Sequence, residues 1–346
     1  MNGTAVISRR DFLKLGGVGL FGLLMPQVSS PTSLANDLFP ADQQGRVTDA
    51  IINLYKSPSF DDEVISIYWR DIVLHITGIA ISEDVSAYNR VWYQVNGVGY
   101  AYSGSIQPVK TILNEPVTRL PKINNLAEVT VPFTDAYAFP KKSDVALYRF
   151  YYETTHWVDE VITDNEKNTW YRISDDKFET YQFVQAKHLR IIPVAELSML
   201  SPEIPPELKR IEVRLNSQVV IAYEAEKPVF MTRASTGGSF NRGIFATPYG
   251  RRIIFHKRPS AHMAAGNLAS NGFDLPGVPW VSYITESGVA FHGTFWHNDF
   301  GRPRSHGCIN IPSSAAKWIY RWTLPIVPPE EKYRFLDYGT RVDVVG

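Results

Sequence analysis

Cys308 is the only cysteine among 346 residues, so it cannot close an internal disulfide. Ser305, His306 and Gly307 precede it, Asn310 follows it, and a second His-Gly pair, His292-Gly293, lies upstream. A thiol with two imidazoles nearby has a base to take its proton, and glycines let backbone close on a reacting carbonyl. These residue types offer nucleophilic attack on an acyl group. The competing reading is a small buried hydrophobe, as most free cysteines are. His75, His156, His188, His256 and His262 have no partners at metal-ligand spacing, which disfavours a zinc site, and no phosphate-binding glycine loop is evident. No metal or cofactor is expected.

The start of the chain bears on the thiol. Residues 8–14 read Ser-Arg-Arg-Asp-Phe-Leu-Lys and precede an uncharged stretch, Leu15 to Met25. Paired arginines before a short apolar core are the layout of a twin-arginine export signal. That core falls well short of the roughly 20 apolar residues of a membrane span. Ser33-Leu34-Ala35 offers the small residues that a signal peptidase reads, so residues 1–35 are expected to be a signal peptide, cleaved after Ala35 or retained as an anchor. The mature protein is then expected in the cell wall or periplasm, or outside the cell. An odd cysteine carried into an oxidising space is either intermolecular or reactive, which strengthens the nucleophile reading.

Thirty-five basic and thirty-five acidic residues give a formal net charge of zero, so there is no basic excess to meet nucleic acid. Eighteen Tyr, eighteen Phe, eight Trp, 23 Pro and 23 Gly favour short strands and turns over long helices. Val47, Ala50, Ile51 and Leu54 recur at helical spacing, so residues 36–60 are expected to hold a short amphipathic helix and linker. Two β-rich stretches follow, over 61–125 and 128–198. In each, a Trp-Tyr strand (Trp92-Tyr93, Trp170-Tyr171) leads through a turn to an aromatic strand and a terminal apolar strand, about 79 residues apart. Both units resemble bacterial SH3-like domains, which implies small barrels that bind glycan or wall peptide; a single larger β-sandwich is the alternative. Pro202 to Pro206 reads as a semi-rigid linker, after which residues 208–346 are expected to form a β-rich unit with its own core. This unit has one helix near Ser313 to Arg321, and a long irregular excursion over 257–279 that would act as a lid.

Twelve residues separate His292-Gly293 from His306-Gly307-Cys308-Ile309-Asn310. With Ser305, Pro276 to Trp280, Phe295 to Gly301, Ser235-Thr236-Gly237 and Thr247-Pro248, this closely resembles the signature of L,D-transpeptidases of the YkuD type. The resemblance covers about 208–346. It implies a mainly β chain whose C-terminal YkuD-like mixed β-sandwich carries a short helix and follows two small SH3-like β-barrels. It further implies that Cys308 is the nucleophile, its thiolate stabilised by an imidazolium, and that His292 is the base, held by the carbonyl of Gly293. His306 competes for the role of base, but its place on a tight turn next to the cysteine favours a supporting one. Backbone N–H groups of Gly307 and Cys308 would stabilise the oxyanion. Ser305 and Asn310 would support the loop, and Trp296 and Arg304 would contact substrate, although Trp296 could equally fill core and Arg304 could simply be solvated. The implied substrate is a peptidoglycan tetrapeptide stem, with release of D-alanine and transfer to an amine. The alternatives are an L,D-carboxypeptidase that uses water and a non-catalytic wall-binding protein.

Overall fold

The computed structural model describes residues 43–143, 145–240, 243–268 and 272–346. The expected signal peptide lies outside the described residues. No helix among the described residues is long and apolar enough to cross a membrane.

Two small β modules share one topology. In the first, strand Gln44–Val47 pairs with both Val73–Ile81 and Ile106–Val109. Val91–Val95 joins Val73–Ile81 to Gly99–Tyr102, which meets Ile51–Tyr55 at Tyr55 and Tyr100. Asn96 and Gly97, both at positive φ, and Val98 make the three-residue turn between Val95 and its partner Gly99. In the second, Leu126–Val129 pairs with Thr155–Thr163 and Leu189–Ile191. Thr169–Asp175 bridges Thr155–Thr163 and Thr180–Gln185, and Tyr137 meets Phe183 as Tyr55 meets Tyr100. A single turn of 3-10 helix, Ser103–Ser105 or Ala186–His188, precedes the last strand of each. Each module has its own core, around Leu54, Ile76 and Ile106 in the first and Val129, Phe150 and Val184 in the second. The repeat seen in the sequence is thus a repeat of fold.

The helix expected within 36–60 does not form. Among its described residues the chain makes strands Gln44–Val47 and Ile51–Tyr55, so the first module starts there rather than at 61. Val47, Ile52 and Leu54 fit either period over so short a run, and the β-branched Val47, Thr48, Ile51 and Ile52 tip the balance once a sheet is available to pair with.

The C-terminal unit packs two five-stranded sheets and the helix Ser313–Trp322. Both sheets are mixed. Lys209–Arg214 runs parallel to Arg341–Val345, and Ala290–Gly293 runs parallel to Ile309–Ile311. Ala315, Ala316, Ile319 and Trp322 bury one face of the helix against Trp280, Phe291 and Ile309. The excursion expected over 257–279 is instead a long hairpin, His256–Ala265 paired with Phe273–Tyr283. Its prolines and glycines obscured the strand pattern. A bulge between Ala261 and Met263 and left-handed backbone at Gly277 and Trp280 absorb them.

The chain on either side of the proline-rich segment is tied to the C-terminal unit. Leu197 and Leu200 pack on a core that joins Leu126 and Ile192 of the second module to the C-terminal unit. Leu200 N–H donates to Arg321 O at 3.0 Å, Lys209 Nζ donates to Leu200 O at 3.0 Å, and Lys317 pairs with Glu196 at 2.5 Å. The second module also seats on the hairpin. Thr155 Oγ1 donates to Pro259 O at 2.7 Å, and the ring of His156, stacked on Phe150, lies against Gly277.

Gly277, at φ +73°, has room for no side chain, since a Cβ would sit 2.2 Å from the buried His156 ring. Gly277→Ala is therefore expected to destabilise the protein by on the order of 3 kcal/mol, from strain and overpacking together. Urea denaturation of the variant against wild type measures this.

Candidate active site

The parallel pair Ala290–Gly293 and Ile309–Ile311 places Phe291 opposite Ile309 and His292 opposite Asn310. Side chains two residues apart share a face. Cys308, one residue before the second strand, therefore lies on the face of Asn310 and His292, as a diagonal neighbour of the histidine. Diagonal positions on paired strands are about 7–8 Å apart at the backbone, within reach of long side chains. The sheet brings together two residues that the sequence holds sixteen apart.

His292 is buried, and its Nδ1 lies 3.0 Å from Gly293 O. A carbonyl only accepts, so Nδ1 carries the proton and Nε2 keeps its lone pair. Burial pushes this imidazole down to about 4. Gly293 is tightly enclosed, because a Cβ there would meet Pro279 at 2.7 Å and the start of the helix at Ser313. Trp296 lies with its ring 5.6 Å from that of His292 and 5.0 Å from Phe295, so it packs beside the base.

The Cys308 thiol borders an apolar cluster with Val278, Tyr283, Ala290 and Trp296. Burial pushes it up to about 11, partly offset by a hydrogen bond from the Ala290 N–H. Sγ lies 3.6 Å from Gly288 O. The raised thiol and the lowered imidazole both lean toward their neutral forms, away from the thiolate and imidazolium implied by the sequence resemblance. Desolvation opposes both charges.

The bend ahead of Cys308 is built by several stretches distant in sequence. Gly307 adopts φ +108°, open to glycine but not to other residues without strain. Ser305 Oγ donates to Cys308 O and accepts the Gly307 N–H at 3.1 Å, so the Gly307 N–H assigned above to the oxyanion is already engaged. Thr236 O accepts the N–H groups of Arg304 and Ser305, at 2.9 and 3.0 Å. Thr247 Oγ1 accepts Gly237 N–H at 2.9 Å and donates to Gly307 O at 2.7 Å. The Ser-Thr-Gly and Thr-Pro segments noted in the sequence thus form the floor under the cysteine. His306 is exposed, its ring 4.5 Å from Phe245 and 5.5 Å from Phe273. Asn310 is buried, with Nδ2 3.2 Å from Nε2 of His297. Arg304 is not simply solvated: Nη1 binds Asp299 Oδ2 at 2.9 Å. His297 and Asp299 stand in the Phe295 to Gly301 stretch that carries the resemblance, but their residue types and spacing gave neither of them a role. Among the described residues no cluster of His, Cys, Asp and Glu could hold a metal ion.

Residues 208–344 match YkuD, the L,D-transpeptidase catalytic domain. Similar solved structures include an L,D-transpeptidase from Xylanimonas cellulosilytica, 25% identical over 39% of this chain and 59% of that one, with a TM-score of 0.28. Another, from Stackebrandtia nassauensis, is 25% identical over 40% of this chain and 55% of that one, TM-score 0.28. The catalytic domain of an E. faecium L,D-transpeptidase, acylated by ertapenem, is 27% identical over 39% of this chain and 95% of that one, TM-score 0.30. This chain thus spans less than two thirds of the first two structures. A comparison with curated proteins gives no match. The matched stretch starts after the second β module, and it contains Cys308, His292 and the whole bend.

A neutral pair has a kinetic signature. Alkylation of Cys308 by iodoacetamide is expected to climb with pH toward about 11, with no plateau at lower pH. No inflection is expected near the ordinary histidine value of about 6.5. A plateau through neutrality would mean a preformed thiolate.

Proposed function

We propose that this protein is an exported peptidoglycan L,D-transpeptidase in which Cys308 is the nucleophile and His292 the base. The observation that carries the reading is the parallel register, which sets both residues on one face while Gly293 O fixes the histidine tautomer. His292 Nε2 takes the thiol proton as Sγ attacks the carbonyl before the terminal D-alanine of a tetrapeptide stem. The Cys308 N–H then serves as the oxyanion donor, because Gly307 N–H is held by Ser305. Collapse of the tetrahedral intermediate returns the proton to the departing amine and leaves a thioester, which an amine of a neighbouring stem or protein resolves. Water in place of the amine would make the same site an L,D-carboxypeptidase. Residues 1–35, as a twin-arginine signal, would deliver it to the wall, and the two β modules, read as SH3-like, would bind glycan or wall peptide.

The test is mass spectrometry after incubation with a disaccharide-tetrapeptide. Wild type is expected to gain the acyl mass on Cys308 with release of D-alanine, and Cys308→Ala to gain nothing. His292→Ala is expected to lose nearly all turnover, by about 100-fold or more as for loss of a general base. His306→Ala should keep a measurable part. Equal loss in both would return the assignment of the base to His306.

Carbapenems offer a strained acyl group to the same thiol. A stable adduct on Cys308 of the folded protein is expected by intact-mass measurement. Its absence would favour an inactive wall-binding scaffold.

A further inference from the structure

The chain passes from Gly293 to Cys308 through residues 294–307, which contain neither helix nor strand of their own. Such a crossing must find partners for its polar groups elsewhere. Many of them come from the first β module. Phe295 O accepts from Nη2 of Arg46 at 2.5 Å, and Arg46 is only 2% exposed. Its guanidinium also bonds Gln107 Oε1 at 2.8 Å and Asp71 Oδ1 at 2.8 Å, and lies over the ring of Tyr151, itself stacked on Phe295. Farther along, Asn298 N–H donates to Gly104 O at 3.0 Å. Asp299, 1% exposed at its side chain, accepts from the hydroxyls of Tyr88 and, at 2.8 Å, Tyr102, and pairs with Arg302 and Arg304 at 2.7 and 2.9 Å. The path then returns to the nucleophile's strand. Asp299 N–H donates to Nδ1 of His297 at 3.1 Å, and the other ring nitrogen lies against Asn310, two residues past Cys308.

We infer that the first β module completes the active site: Arg46, Tyr88 and Tyr102 are positioning residues that hold the 295–304 crossing, and through it His292, Trp296 and Cys308, in reactive geometry. The inference rests on the acyl-transfer reading above and adds residues outside 208–344 to the contacts that Ala234, Ser235 and Thr236 make with the crossing. It extends the site beyond the β-rich unit over 208–346, which the sequence led us to expect only to have its own core. The arginine is placed to act this way because its removal would leave Phe295 O and the Asp71 carboxylate short of a buried charged partner, a costly state.

The test uses the full chain. Tyr88→Phe with Tyr102→Phe removes two hydroxyls and keeps both rings, and Arg46→Lys keeps the charge but not the planar fork. Each is measured for kcat and KM on a soluble disaccharide-tetrapeptide, for its pH profile and for thermal midpoint. We expect kcat to fall by about tenfold or more with KM changed by no more than about twofold, the pattern of misplaced catalytic groups. The pH profile adds a readout that docking alone would not move. Burial raises the Asp299 carboxyl, but the Tyr88 and Tyr102 hydroxyls, with Arg302 and Arg304, more than offset this and hold it below its ordinary value. Arg233 and His297 also face it and are untouched. Without the hydroxyls its value rises, so as pH falls the carboxylate, and activity with it, is lost at a higher pH than in wild type. Variants with a lowered midpoint but wild-type kcat and acidic limb would make the contacts a docking interface and overturn the inference. If the tyrosine pair does not fold, Arg46→Lys decides by the same kcat criterion. A wild type acylated at Cys308 beside equally fast variants overturns positioning alone. A wild type without that adduct overturns the acyl-transfer reading as well.

Discussion

The parallel pairing of Ala290–Gly293 with Ile309–Ile311 is the constraint from which the rest of the site follows. Parallel neighbours cannot be joined by a tight turn and need a crossover of a dozen or more residues, usually a helix packed on the sheet. Here the crossover is irregular chain. It therefore has no helical or strand ladder of its own, and the protein around it supplies many of its partners: Arg46 at Phe295, Gly104 at Asn298, Tyr88 and Tyr102 at Asp299. The same parallel register puts His292 and the cysteine on one face. Geometry for chemistry and dependence on neighbouring modules have one origin.

The second constraint is the bend that presents Cys308. Its sharpness needs the positive φ of Gly307 and the double use of the Ser305 hydroxyl, as donor to Cys308 O and acceptor from Gly307 N–H. Neither would hold alone. Thr236 and Thr247 tie the bend to the neighbouring sheet from below, while Gln218 clamps Thr236 through both amide atoms, at 2.7 and 2.8 Å. Motif residues around the nucleophile thus divide between chemistry and shape, and most of them serve shape.

Electrostatics at the site follow from the burial of His292 and the partial burial of Cys308. Desolvation raises the thiol and lowers the imidazole, which favours the neutral forms and a proton transfer as the carbonyl is attacked. Fixing the His292 tautomer through Gly293 O serves that step without placing a second charge in the pocket. A carboxylate in that position would favour the imidazolium instead.

Much of the site was legible in the sequence because short motifs with rigid local geometry carry it: the solitary Cys308, the His292-Gly293 pair, Ser305 and Gly307 at the bend, and the two Trp-Tyr strands that mark the repeated modules. Alternation and turn residues also announced a mainly β chain, and the apolar face of Ser313–Trp322 announced its helix. Local pattern failed where long-range pairing decided the outcome. Residues 44–55 fit helix or strand equally until Val73–Ile81 and Ile106–Val109 offered edges, and Pro276 and Gly277 looked like loop until the His156 ring and the partner strand fixed their place. Arg46, Tyr88 and Tyr102 carry no signal in their spacing at all, and Asp299 stands in a motif stretch without a legible role. Arg46 lies 249 residues from Phe295, and Tyr88 lies 211 from Asp299. The sequence by itself thus determined which groups could react, since that depends on residue type and neighbours along the chain. Only the tertiary structure decided what holds them in place and whether they are charged, since both depend on contacts and burial made after the chain has folded.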